Sequence, residues 1–515
     1  MDRRSGVLMH LSSLPGPFGS GGLGRNAERF ADFLKNSGFR VWQVLPTTPT
    51  DRSSNYSPYS SCSAFGGNPI FISPEKLADD GLLEAEEIVK NEHSESECRA
   101  DYDRSTALIK NMLSRARQRF KNEQGRFHVL HEEYHCFIES ERYWLQDYAL
   151  FTVLKDSFAG LPWNQWPKEI AQRDKKTIEN LSAQKDIVEA LELIYFEQYI
   201  FDRQWKAFHS YCSEKDIKLM GDIPMFAAFD SSDVWSNQEY FDLDHEGLPN
   251  KVAGVPPDYF SDKGQRWGNP LYNWKNMQMS GYSWWVSRFK KALENFDLLR
   301  IDHFRGFSAC WGVPACEETA ENGQWIETPG RELLGVLAEK IRVDAAVELP
   351  LVAEDLGVIT DDVRELMDRF GLPCMKVLLF AFNGDVASNP YAPHNHIPCA
   401  VVYTGTHDNN TVKGWWESES DERIRTLVSE YTVRKITKDN VADVFTGMAL
   451  SSTAKLAIVP TQDILGLGAD SRMNIPGVAE GNWLWRLSKK DFEELTRADS
   501  EISARFKKIN SLYGR

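Results

Sequence analysis

The chain has 515 residues, 42% apolar and 26% charged, a balance that supports a large core and excludes long disordered stretches. Its 59 basic against 75 acidic residues leave a formal net charge of −16, which would repel a polyanion and sets nucleic acid aside as a partner. The apolar stretch 7–11 is too short for a secretory signal, and no run approaches the roughly 18 apolar residues of a membrane span, so a cytoplasmic chain with no membrane partner is expected.

In chain order, eight short apolar runs alternate with amphipathic stretches, at residues 7–11, 41–45, 217–222, 298–302, 351–355, 377–382, 400–403 and 456–459. They are continuous rather than alternating, the pattern of parallel strands covered on both faces. Eight strands interleaved with helices predict a (β/α)₈ TIM barrel, although an open doubly wound sheet would alternate similarly. After the first run, Gly19, Gly21 and Gly24 have the Gly-x-Gly-x-x-Gly spacing of a dinucleotide turn. Residues 12–18, with Pro15 and Pro17, separate that turn from the run, and the second run ends in Leu45 and Pro46 with no ribose-binding acid. These glycines are read as an active-site loop.

About 48–216, between the second and third runs, is too long for a βα connection and is read as a largely helical insertion. Its last part places Ile187, Leu191, Ile194, Phe201, Trp205, Phe208 and Cys212 on one helical face. About 233–275, rich in Gly, Pro, Asn and Asp, reads as an active-site loop insertion. Further on, Thr360 is the N-cap of a helix that Gly371 ends, with Val363, Leu366, Met367 and Phe370 along its core face. About 55 residues follow the eighth run, too few for a C-terminal β-sandwich of the kind many α-amylases carry, so 1–515 is read as a single catalytic unit. Eight scattered cysteines form no C-x-x-C pair, and no His and acid have tight ligand spacing, so reduced thiols, no metal and no cofactor are expected.

Catalytic groups of such barrels come from the C-terminal ends of strands. Here the third run ends at Asp222, the fourth at Asp302, the fifth runs into Glu354, and Asp408 follows the seventh after a brief turn. An aspartate at a strand end is also an ordinary cap or turn residue, but four converging acids fit glycosidic-bond cleavage, which needs one acid to protonate the leaving oxygen and one carboxylate at the anomeric carbon. Arg300, two residues before Asp302, points to the same strand face and can hold that carboxylate ionised. Glu354 needs the opposite environment, one that retains its proton. His303 and His407, each beside an acid, read either as sugar-hydroxyl ligands or as packing and capping residues. The 16 Trp, 17 Tyr and 28 Phe offer flat faces for sugar rings, though core packing accounts for many of them.

The segment 300–306, Arg-Ile-Asp-His-Phe-Arg-Gly, resembles the nucleophile motif of the amylomaltases, the 4-α-glucanotransferases or disproportionating enzymes of glycoside hydrolase family 77. Residues 353–357 resemble their acid/base segment, 406–409 the segment of their third acid and 221–224 their third-strand segment. Further matches are Ser57-Pro58-Tyr59, the long stretch from Gly254 through Asp258 to Trp267 and Pro270, and Arg472-Met473-Asn474 with Asn482-Trp483. The resemblance spans about residues 4–486. It departs at Tyr56, where the family commonly has an aspartate, and at Ser308, where an acid is common.

The resemblance implies transfer of α-1,4-glucan segments by a retaining double displacement. Asp302 is implied as nucleophile, Glu354 as general acid and base and Asp408 as transition-state stabiliser, with Tyr59, Asp222, Trp267, Arg300, His303, His407 and Asn474 lining the glucan subsites. The implied partners are maltooligosaccharides and α-1,4-glucans, with glucose as an acceptor. The alternatives are an α-glucan hydrolase of the amylase type and a non-catalytic glucan-binding barrel, the latter opposed by the presence of all three acids.

Overall fold

The computed structural model describes residues 3–88, 98–257, 261–341 and 348–515. These hold twelve strands, in chain order β1 (Arg4–Leu8), β2 (Val41–Gln43), β3 (Lys218–Ile223), β4 (Lys251–Val255), β5 (Gln265–Pro270), β6 (Leu298–Ile301), β7 (Ala309–Pro314), β8 (Gln324–Glu327), β9 (Leu351–Ala353), β10 (Cys374–Val377), β11 (Ala400–Tyr403) and β12 (Leu456–Pro460). Eight pair in parallel in the order β10-β11-β12-β1-β2-β3-β6-β9. The ring closes where the Ala353 amide donates to the Pro373 carbonyl (3.0 Å) and the Met375 amide to Asp355 Oδ1 (2.7 Å), which brings β9 against the start of β10. The fold is the predicted (β/α)₈ barrel. Its strands are buried along nearly their whole length, as sheets wrapped by helices must be.

Two strand positions differ from the sequence reading. The first strand is residues 4–8 rather than 7–11, and Leu11–Ser13 is a 3₁₀ turn. The sixth is Cys374–Val377 rather than 377–382, because Leu378–Phe380 leaves the sheet in a 3₁₀ turn. Leu378, Leu379, Ala381 and Phe382 are all buried, so the apolar run marks burial that continues past the strand's end. The helix Asp361–Phe370 does start after Thr360 and stop at Gly371, whose φ of 63° suits glycine.

Between β2 and β3 stand three long helices, Tyr102–Asn122, His128–Ser157 and Lys185–Glu214. The last buries Ile187, Leu191, Ile194, Phe201, Trp205, Phe208 and Cys212. It also holds the segment leading away from the barrel mouth. The Gln198 amide exchanges two hydrogen bonds with the backbone of Gly67 (2.8 and 2.9 Å), and Gln204 does the same with Ser73 (2.7 and 3.1 Å). Residues 233–275, read above as a loop, carry β4 and β5, which join β7 and β8 in an antiparallel sheet of order β5-β4-β7-β8. Asp258 lies outside the described residues. Among the described residues no helix is long and apolar enough to cross a membrane, and no group of three His, Cys, Asp or Glu side chains could hold a metal ion.

Candidate active site

β6 reads Leu-Leu-Arg-Ile, and its alternation sends the Arg300 side chain into the barrel, where it is 3% exposed. The guanidinium bridges two carboxylates, Asp222 Oδ2 at 2.6 Å and Asp302 Oδ1 at 3.0 Å. Tyr59 donates its hydroxyl to the same Asp222 oxygen (2.8 Å). Burial pushes the Asp222 carboxyl up to about 7 against the pull of Arg300, while the carboxylates around Arg300 hold its guanidinium charged despite its own burial. Asp222 Oδ1 is buried and finds no hydrogen-bond partner among the described residues.

Directly after β6 and β9 two loops interlock. The Asp302 amide donates to the Ile223 carbonyl (2.9 Å), the Glu354 amide to Ile301 (3.0 Å) and the Phe304 amide to the Glu354 carbonyl (3.1 Å). The Glu354 carboxyl accepts from the amides of His303 and Leu356, each at 2.8 Å. His303 reaches this position by a left-handed backbone, φ 49°. Burial pushes Glu354 up to about 7, Arg300 opposes the shift and the neighbouring Asp302 charge adds to it. That value keeps a large fraction of Glu354 protonated near neutrality, as a general acid requires. The adjacent Asp355 points elsewhere and accepts the Met375 amide, so it serves barrel closure.

After β11, His407 stacks on Tyr59 (5.1 Å between ring centroids, 17°) and lies 3.4 Å from Asp408 Oδ2. Burial lowers the pKa of His407, and it lowers that of His303 to about 4, so His303 is neutral near pH 7. His303 Nε2 is buried without a hydrogen-bond partner among the described residues, and Trp267 meets the ring edge-on at 4.8 Å. Asn474 donates to Asp408 Oδ1 (2.6 Å), and Arg472 to the Asp408 carbonyl (2.7 Å). Trp483, held at φ 66°, lies 5.7 Å from the Tyr59 ring. Such left-handed non-glycine residues are uncommon and gather at functional sites.

One cleft of about 530 Å³ is lined by Asp302, Glu354 and Asp408 together with Tyr59, Trp267, His303, His407 and Asn474. The volume is that of a ligand site. Asp222 and Arg300 do not line it. They lie beneath its floor and act on it through Tyr59 and Asp302. The glycine loop 19–24 does not line it either. The Gly19 carbonyl accepts from the Asp101 amide and from Arg486 (each 2.9 Å), which makes it a packing surface for the insertion and the C-terminal segment. Phe226 lines the cleft and was missed, as a lone aromatic in a loop carries no positional signal. Tyr56 turns away, stacks on Tyr102 (4.8 Å) and donates to Asp103, while Ser308 donates to Asp362.

The sequence matches the model of glycoside hydrolase family 77, described as 4-alpha-glucanotransferase, over residues 9–491. The chain belongs to that family. Its activity is accordingly 4-α-glucan transfer. The 4-alpha-glucanotransferase of Thermus thermophilus is 44% identical over 493 residues, 95% of each chain. The chloroplastic/amyloplastic 4-alpha-glucanotransferase of Solanum tuberosum is 40% identical over all of this chain and 86% of its own. In three dimensions the chain resembles the amylomaltase from Streptococcus agalactiae in complex with acarbose, with a TM-score of 0.91, 33% identity and coverage of 100% of this chain and 99% of that one.

Proposed function

We infer that this member of the 4-alpha-glucanotransferase family moves α-1,4-glucan segments from maltooligosaccharides to acceptor glucans or glucose, with Asp302, Glu354 and Asp408 in the cleft performing the chemistry. In the first step the Asp302 carboxylate attacks the anomeric carbon as the C1–O bond breaks, and Glu354 gives its proton to the departing oxygen. In the second, Glu354 takes the proton of the acceptor hydroxyl, which attacks the same carbon and frees Asp302. Asp408, fixed by Asn474, offers its second oxygen to hydroxyls of the ring being transferred.

The observation that carries this reading is the unlike treatment of two carboxyls in one cleft. Asp302 has a guanidinium at 3.0 Å, while Glu354, half-buried in the wall of the same cleft, is raised by desolvation to about 7. Neutral His303 and His407 add hydrogen-bonding capacity without charge, which suits an uncharged polyhydroxyl substrate. Incubation with maltotriose and separation of the products by size tests the reading. Free glucose together with a ladder of longer glucans supports transfer, and glucose and maltose without longer chains would overturn it.

A further inference from the structure

Outside the catalytic cleft a second hollow of about 180 Å³ opens between the helices His128–Ser157 and Ser283–Asn295 and the turn around residue 237. The two hollows share no lining residue. On the first helix Tyr143 and Asp147 are one turn apart and so share a face, as do Ser283 and Ser287 on the second. Tyr143 is 52% exposed, unusual for so large an aromatic ring. Beneath it Phe65 meets Tyr143 edge-on (5.8 Å, 87°) and Trp284 likewise (6.1 Å, 84°), so the floor is aromatic. Around the floor stand hydroxyls, the Asn237 amide and Asp147, which Arg173 holds in place at 2.5 Å.

The chemistry of this lining selects a ligand class. No Lys or Arg lines the hollow, so its lining offers no cation to select an anion. A half-exposed aromatic ring beside hydroxyl, amide and carboxylate groups matches a sugar, which offers an apolar C–H face and an equator of hydroxyls. The volume falls below the range of sites that enclose whole drug-sized ligands, so it takes one ring at a time. We propose that this hollow is a remote glucan-holding site, where Tyr143 stacks on one glucose unit of a long α-1,4-glucan while Asp147 and Asn237 bind its hydroxyls. The proposal rests on the glucan-transfer reading for its choice of ligand. A chain held at two places raises the effective concentration of its reacting end at the cleft, a gain open only to chains long enough to reach both.

Two variants test it, Tyr143→Ala, which removes the exposed ring, and Ser287→Phe, which fills the hollow. Neither residue touches the catalytic cleft. With maltotriose, the short donor, kcat and KM should equal those of the unaltered enzyme. With amylose, KM should rise roughly tenfold at unchanged kcat, the loss of one ring-stacking contact, and retardation in amylose-containing native gels should weaken. Unchanged amylose KM and gel retardation in both variants would overturn the site. So would a fall in both substrates' rates in proportion to a lowered Tm, which marks a structural role. If the unaltered enzyme makes no longer glucans from maltotriose, the transfer reading falls instead. The gel comparison then decides the hollow alone, weaker retardation of the variants upholding it and equal retardation rejecting it.

Discussion

Arg300 carries the charge balance of the cleft, because one buried guanidinium serves Asp222 at 2.6 Å and Asp302 at 3.0 Å. Replacing Arg300 with Met would leave the buried Asp222 and the partly exposed Asp302 without the cation they share, and removing one partner of a buried ion pair typically costs about 3–5 kcal/mol. Urea unfolding of Arg300→Met should show a loss of that order together with loss of turnover, whereas stability within 1 kcal/mol of the unaltered protein would show that Asp222 and Asp302 do not depend on the bridge. As the proposed acid, Glu354 sets the pH dependence expected of turnover. Only its protonated form can donate to the leaving oxygen, and with a folded pKa of about 7 that form is depleted as pH rises through 7. The kcat/KM for maltotriose should therefore fall on the alkaline side from near pH 7, by about tenfold per unit once beyond it. Glu354→Gln should abolish turnover at every pH. It should also cost about 1–3 kcal/mol of stability, since a Gln amide cannot accept from both the His303 and Leu356 amides as the carboxyl does. A retained alkaline limb in an active Glu354→Gln enzyme would assign the acid elsewhere. Of these residues, the acids were legible because each follows an apolar strand. That Asp222 and Arg300 lie under the floor was not, since alternation along a strand gives the side a residue faces and not its depth.

At the scale of elements, legibility followed hydrophobic content. The barrel strands are apolar on both faces and stand out, while the antiparallel sheet is held by its backbone ladder and leaves little trace. β5 is Gln-Arg-Trp-Gly-Asn-Pro with only its last residue buried, and β8, Gln-Trp-Ile-Glu, is exposed at three of its four residues. Their packing comes from a small separate cluster of Val252, Val313 and Ala320 and from the cross-strand pair Trp311 and Trp325, 5.3 Å apart. Neither pattern has the alternation by which strands are recognised. This weakly marked sheet nevertheless carries Gln265, Trp267 and Asn269 into the cleft. Its register depends on Gly254, where an added Cβ would lie 2.3 Å from the Gln265 carbonyl oxygen and would force β5 away from β4. Gly254→Ala should cost about 1–3 kcal/mol and raise the KM for maltotriose, since it displaces the strand that bears Trp267. Measured KM and Tm both equal to those of the unaltered enzyme would mean that β5 yields without moving its cleft residues.

At the scale of the whole molecule the cleft is assembled from parts far apart in the chain: the barrel ends with Asp302 and Glu354, the segment with Tyr59 before the helical insertion, the sheet with Trp267, and the C-terminal stretch from Asn474 to Trp483. The acids alone do not distinguish transfer from hydrolysis, because both reactions pass through the same glycosyl-enzyme and differ only in what reaches it next. Water outnumbers any dissolved sugar, so transfer prevails only where the acceptor is held in place and water is kept out, which gives the bound hydroxyl a high effective concentration. The wall best placed to do this is Trp267, 39% exposed, edge-on to His303 and presented by a sheet outside the barrel core. Trp267→Ala should therefore raise the ratio of hydrolysis to transfer more than it lowers bond cleavage, and it should leave Tm nearly unchanged because the ring is not part of the core. If Trp267 only packs its strand, the substitution would instead lower Tm and reduce both reactions in proportion. Reducing ends released, counted against longer glucans formed from maltotriose, with a melting curve on the same sample, separate the two outcomes, and a proportional loss of both reactions would reject Trp267 as the barrier to water.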